Sequence, residues 1–237
     1  MTNSSSCRFA LPTWTGEWDW IGASCYPQVF ARAEEAGLPE PEVKFADVGC
    51  GFGGLTIRLS ELFPDKLVVG MELRDKVSGR AAAFLVEYVK LRIEALRREH
   101  PGKYENATCV RSNAMKDLPC YFKKGQLEKI FFLFADPHFK ASNHRRRIIQ
   151  TPLLAEYAYV LAPGARLYTI TDVEELGTWM ADKLDNHPLF ERLSKEEEEA
   201  DLAVPLLVQG TEEGQKVARN GGKTWQAIFV RKPDPEL

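Results

Sequence analysis

The segment from Val43 to Gly54 constrains this chain more than any other. An apolar strand, Val43 to Val48, runs into Gly49-Cys50-Gly51-Phe52-Gly53-Gly54, and a helical pattern follows from Leu55 to Phe63. Strand, glycine turn and helix in that order make the opening of a βαβ unit. Glycines there let a ligand approach the backbone with no Cβ in the way. Strand and helix signals then alternate to the end of the chain, which predicts a mostly parallel twisted α/β sheet with helices on both faces, a Rossmann-like fold.

The later strands read Lys66 to Met71, Ala107 to Arg111, Lys129 to Phe134, Arg166 to Thr171 and Trp225 to Arg231. Helices are expected over Val77 to Arg98, from Thr151-Pro152 to about Leu161, and over Val173 to Leu184. Phe84, Tyr88, Leu91 and Ala95 make a plausible core stripe on the first of these. Residues 1–40 lack periodicity and read as an irregular extension. Trp14, Trp18 and Trp20 within them pack on the core or stack bases. Residues 41–237 then form one domain, a size of core that suits the 237-residue chain.

The five cysteines form no Cys-x-x-Cys pair, so neither a zinc site nor a disulfide framework is expected, and a reducing compartment is the natural reading. No apolar run is long enough to span a bilayer, and no signal-peptide pattern opens the chain. The net charge of −3 argues against indiscriminate nucleic-acid binding. A basic cluster nevertheless gathers at His138, Lys140, His144, Arg145, Arg146 and Arg147. It reads either as a phosphate-binding patch or as a solvated helix start. The acidic run from Glu196 to Glu199 reads as solvated.

Two carboxylates refine the glycine signal. Asp47 stands inside the first strand, two residues before Gly49, and Glu72 ends the second strand. Glu72 is placed to accept hydrogen bonds from ribose hydroxyls. S-adenosylmethionine suits this arrangement better than NAD, because it has no pyrophosphate and carries an ammonium that Asp47 can hold. The competing reading of Asp47 is a carboxylate that braces the loop. Gly49 and Gly51 form the floor of this site. Asn113-Ala114, after the third strand, falls where an adenine ring is expected, though Asn also suits a turn.

The fourth strand, Ile130 to Phe134, ends in Ala135-Asp136-Pro137-His138-Phe139-Lys140. A carboxylate at the carboxyl edge of an α/β sheet lies where such sheets bind ligands. His138 and Phe139 shape a base pocket or only pack the loop. Lys140, Arg145, Arg146 and Arg147 are candidates for phosphate contacts.

In these segments, and in Gly70-Met71-Glu72-Leu73-Arg74-Asp75, Leu154-Ala155-Glu156-Tyr157, Thr169-Ile170-Thr171-Asp172, Thr211-Glu212-Glu213-Gly214 and Arg219-Asn220-Gly221-Gly222, the chain resembles the eukaryotic tRNA (guanine-N7)-methyltransferase family. The resemblance covers roughly residues 43–231. It implies a class I S-adenosylmethionine-dependent methyltransferase fold and methylation of a guanosine N7 in the tRNA variable loop. It implies that Gly49, Glu72, Arg74, Asn113, Ala114 and Leu133 hold the cofactor, that Thr211 and Glu213 close over the cofactor or the guanine, and that Asp136 is catalytic. A WD-repeat β-propeller subunit and a nuclear location are implied as well. The chain departs from the pattern at Ala135, where members carry Pro, at a nine-residue insertion from Ser78 to Val86, and in lacking a basic N-terminal segment. An exocyclic-amine methyltransferase, a non-catalytic RNA-binding subunit and an NAD-dependent oxidoreductase are the competing classes. The last lacks an evident Tyr-x-x-x-Lys relay.

Overall fold

The computed structural model describes residues 21–73 and 84–235. Strands β1 (Val43–Val48), β2 (Leu67–Glu72), β3 (Ala107–Arg111), β4 (Leu127–Leu133), β5 (Leu161–Thr171), β6 (Phe190–Arg192) and β7 (Trp225–Arg231) form one sheet in the order β3-β2-β1-β4-β5-β7-β6. The pairs β3/β2, β2/β1, β1/β4 and β4/β5 are parallel. Strand β7 runs antiparallel to both β5 and β6. The chain reverses its strand order between β1 and β4, and such a switch point opens a crevice at the carboxyl ends of the strands.

Alternation along the central strands explains the layers. Ile130 and Phe132 of β4 pack into one core with Ala46, Val48 and Val69. That face is covered from α4 (Ala114–Tyr121), α5 (Thr151–Val160) and α6 (Glu174–Asp185) by Leu118, Leu154, Tyr157, Met180 and others. Phe131 and Leu133 point the other way, toward Phe45, Val68 and Tyr168, under Leu55 and Leu59 of α2 (Gly54–Leu62). Tyr168 and Phe131 stack with ring centres 4.4 Å apart.

Three expectations need correction. Residues 27–35, expected to be irregular, form the helix α1 (Pro27–Glu35), with proline at its start. Tyr26 beside it is fully buried and donates from its hydroxyl to the carbonyl of Val68 at 2.9 Å. On α3 (Phe84–Glu99) the buried positions are Val89 and Ile93, whereas Tyr88 and Leu91 are 41% and 52% exposed. Both stripes have helical spacing, and periodicity alone does not choose between adjacent ones. Finally, β5 begins at Leu161 instead of Arg166, so Pro163-Gly164 lies within it. The start of the expected Val77 helix, residues 78–83 of the insertion, and the three N-terminal tryptophans lie outside the described residues. No helix among the described residues is long and apolar enough to cross a membrane.

Candidate active site

The turn after β1 holds Gly49 at φ +77° and Gly51 at φ +55°, a conformation that side chains resist. Among the described residues, a Cβ at either glycine would meet nothing within 4 Å. Space in front of this turn is therefore open to a ligand. The turn is fastened from behind. The Gly49 amide donates to the carbonyl of Met71 at 2.7 Å, and the Gly51 amide donates to Glu72 Oε2 at 3.0 Å. Glu72 is 4% exposed at the end of β2, one strand away from the turn.

Asp47 is 2% exposed and accepts from the Thr56 hydroxyl of α2 at 2.7 Å. Burial pushes its carboxyl up to about 7, against the Thr56 hydrogen bond and with help from the negative charges of Glu72 and Glu212. The Thr56 bond is the bracing contact expected of a loop carboxylate.

Sequence reasoning missed Glu212. A Cβ on Gly54 would stand 2.6 Å from Glu212 Oε2, so only glycine admits that carboxylate at the start of α2. Arg92 of α3 pairs with Glu212 at 2.8 Å and also donates to the carbonyl of Phe52 at 2.9 Å. The expected neighbours are placed differently. Thr211 caps α9 (Glu212–Arg219), accepting from the Gly214 amide and donating to the Leu207 carbonyl, each at 3.1 Å. Glu213 faces outward at 59% side-chain exposure, 3.7 Å from Lys216. Consecutive residues of a helix point about 100° apart, so one position decides which acid reaches the turn.

Asn113 follows β3 and caps α4, its side chain accepting from the Met115 amide at 3.2 Å. Ala114 and Leu133, at the start of α4 and the end of β4, are 6% and 9% exposed. Arg74 lies outside the described residues.

Beyond β4 the backbone turns sharply. Phe134 has φ +50° and His138 has φ +45°, both left-handed without glycine. Such residues persist only where their surroundings hold them. Between them Asp136 Oδ1 accepts from the His138 amide at 3.1 Å, and the Asp136 side chain is 57% exposed. His138 is half-buried with Nδ1 3.7 Å from Asp136 Oδ1, while Phe139 is 69% exposed and Lys140 is exposed. Because β1 and β4 are neighbours, Glu72 and Asp136 leave the same sheet edge two strands apart, about 10 Å at the usual strand spacing.

The basic cluster divides. A 3₁₀ turn spans Ala141–Arg146, leaving Arg145 and Arg146 exposed. Arg147 is 1% exposed, so it is withdrawn from the expected phosphate contacts. Three residues complete a 3₁₀ turn, which sets His144 and Arg147 on one side, their Nε2 and Nη2 3.0 Å apart.

A family model described as a putative methyltransferase matches residues 41–227. A tRNA (guanine-N(7)-)-methyltransferase of Oryza sativa subsp. japonica is 55% identical, over 96% of this chain and 85% of that protein. Proteins of the same name from Dictyostelium discoideum and Danio rerio are 52% and 50% identical, over 98% and 96% of this chain and 77% and 90% of their own. The chain belongs to the tRNA (guanine-N7)-methyltransferase family. In fold it is similar to the solved 16S rRNA methyltransferase KamB, with a TM-score of 0.53 at 16% identity over 88% of this chain and 93% of that one.

As a methyltransferase the protein uses S-adenosylmethionine, and its site fits a cation of that shape. The sulfonium and ammonium are positive, and the acidic side chains of Asp47, Glu72 and Glu212 converge on the glycine turn. Among the described residues the space before Gly49 and Gly51 is open, so it would admit a ligand close to the backbone. Among the described residues no cluster of His, Cys, Asp or Glu has the arrangement of a metal centre.

Proposed function

We propose that the protein methylates N7 of a guanosine in the variable loop of tRNA, with Asp136 as the carboxylate that faces the base. The carrying observation is the placement of the open glycine turn and Asp136 on neighbouring strand ends of one sheet edge. S-adenosylmethionine, when bound, supplies an electrophilic methyl whose C–S bond breaks with the electron pair returning to sulfur.

Guanine N7 has a lone pair and no proton, so no strong general base is required. The protein supplies orientation and charge. Asp136 accepts hydrogen bonds from guanine N1–H and the exocyclic amine, a pattern adenine lacks. Its negative charge stabilises the positive charge that develops on the purine. Asp47 holds the ammonium and Glu72 the ribose hydroxyls, with Gly49, Gly51, Asn113, Ala114 and Leu133 lining the remainder. By the family resemblance Arg74 is assigned to holding the cofactor, and Thr211 and Glu213 to closing over the cofactor or the guanine. His138 and Phe139 border the base, while Lys140, Arg145 and Arg146 meet tRNA phosphates.

We propose further that a WD-repeat β-propeller subunit completes the RNA-binding surface and that the complex works in the nucleus. A net charge of −3 with one short basic turn supports a partner that adds positive surface. The test is methyl transfer to an unmodified tRNA transcript with and without the propeller subunit. Transfer that needs the subunit supports the complex, and equal transfer without it removes that part.

A further inference from the structure

Arg147 is the largest of the fully buried side chains among the described residues. Its Nε donates to the carbonyl of Pro137 at 2.9 Å, and its Nη2 donates to Glu175 Oε1, in the first turn of α6, at 2.7 Å. The guanidinium lies 4.7 Å over the ring of Trp179, whose indole N–H is fixed on the carbonyl of Ile149 at 2.8 Å. Nη1 has no hydrogen-bond partner among the described residues. A buried cation with an unused donor is costly, and an apolar side chain of like volume would serve packing better. The bonds it does make therefore call for a reason beyond packing.

Pro137 supplies one. Proline has no N–H, so its carbonyl is the only backbone polar group by which residue 137 can be tied. It stands between Asp136 and the left-handed His138, in a turn that its surroundings must hold. We propose that Arg147 is a positioning residue for methyl transfer: its bond to Pro137 sets the turn that carries Asp136, while Glu175 and Trp179 set Arg147. The inference rests on the reading of Asp136 as the base-facing carboxylate.

The test compares the full chain with Arg147→Lys, Asp136→Asn and the double variant. Lysine keeps the charge but cannot bridge Pro137 and Glu175 with one planar fork. Arg147→Lys is expected to lower kcat by about tenfold or more, since small displacements of a reacting group are costly. KM for tRNA and Kd for S-adenosylmethionine should stay within about twofold, because the glycine turn is untouched. The double variant should be no slower than Asp136→Asn, as expected for two groups acting through one.

A parental kcat in Arg147→Lys, an equal reduction of cofactor affinity, or effects that multiply in the double variant would overturn the inference. Should Arg147→Lys fail to fold, Glu175→Gln keeps the buried guanidinium and weakens its far anchor. A kcat reduced about threefold with unchanged cofactor affinity then supports the inference, and a parental kcat overturns it. A parental rate in Asp136→Asn strikes down the Asp136 reading along with it, whereas multiplying effects with a slow Asp136→Asn strike only Arg147.

Discussion

The Gly51 amide donates to Glu72 Oε2 at 3.0 Å, joining the turn after β1 to the last residue of β2. The bond thus holds together the backbone proposed to face the cofactor and the acid proposed to take its ribose. Preassembly of this kind lowers the ordering cost of binding.

Glu72→Ala removes both the loop bond and the ribose acceptor. Charged hydrogen bonds contribute roughly 1.5–3 kcal/mol each, so cofactor affinity should fall by at least about tenfold. Calorimetry reads this directly. An affinity within about twofold of the parent would contradict the role given to Glu72.

If Asp47 holds the cofactor's ammonium as proposed, cofactor binding should depend on pH. Its carboxyl is raised by burial from 3.8 to about 7 in the folded protein, so the protonated form favours the fold. That contribution is complete below about pH 4 and is lost as pH rises through about 7. A cationic cofactor prefers the ionised form, so its affinity should fall about tenfold per unit below pH 7 and level off above it. Binding near pH 6.5 should release a proton, visible in buffers of different ionisation enthalpy. Asp47→Asn should flatten the profile, and a flat profile in the parent would remove Asp47 from the cofactor site.

Asp136→Ala should lose turnover by about a hundredfold or more while cofactor affinity holds, because its charge is proposed to act on the purine. Asp136→Asn should be impaired too, keeping one acceptor without the charge. If Asp136→Ala no longer bound S-adenosylmethionine, the residue would belong to the cofactor site and not to the base.

Arg145 and Arg146 are exposed where Arg147 is buried. Reversing both charges should weaken tRNA binding and reduce the slope of log affinity against log salt by close to one for each phosphate that is no longer neutralised. A filter-binding series over salt measures it. An unchanged slope would return the turn to an ordinary solvated surface.

Much of this was legible from the sequence. Val43–Val48, Ala107–Arg111 and Trp225–Arg231 have the strand bounds expected of them. Short runs rich in apolar residues between turn residues leave little choice but a strand, even where Lys44 and Asp47 interrupt β1. The strand-end positions of the glycine turn, Glu72 and Asp136 were legible because glycines and lone carboxylates close the apolar runs there. Facing was harder. Arg147 reads as one of three like arginines, and only the three-residue period of a 3₁₀ turn separates it from Arg145 and Arg146. Glu212 and Glu213 differ by one helical step, as do the two apolar stripes of α3. Helix α1 is short and partly polar, and it is tied down by long-range contacts, the Tyr26 hydroxyl on Val68 and Arg32 on Glu105 among them, that no local pattern announces.

The most direct measurement compares two tRNA transcripts, one with guanosine at the variable-loop position and one with 7-deazaguanosine there, followed by nucleoside mass analysis. The predicted result is 7-methylguanosine from the first and no methyl incorporation at that position in the second. Methyl found on the 7-deazaguanosine transcript at that position, or on another atom of the first, would contradict attack by N7.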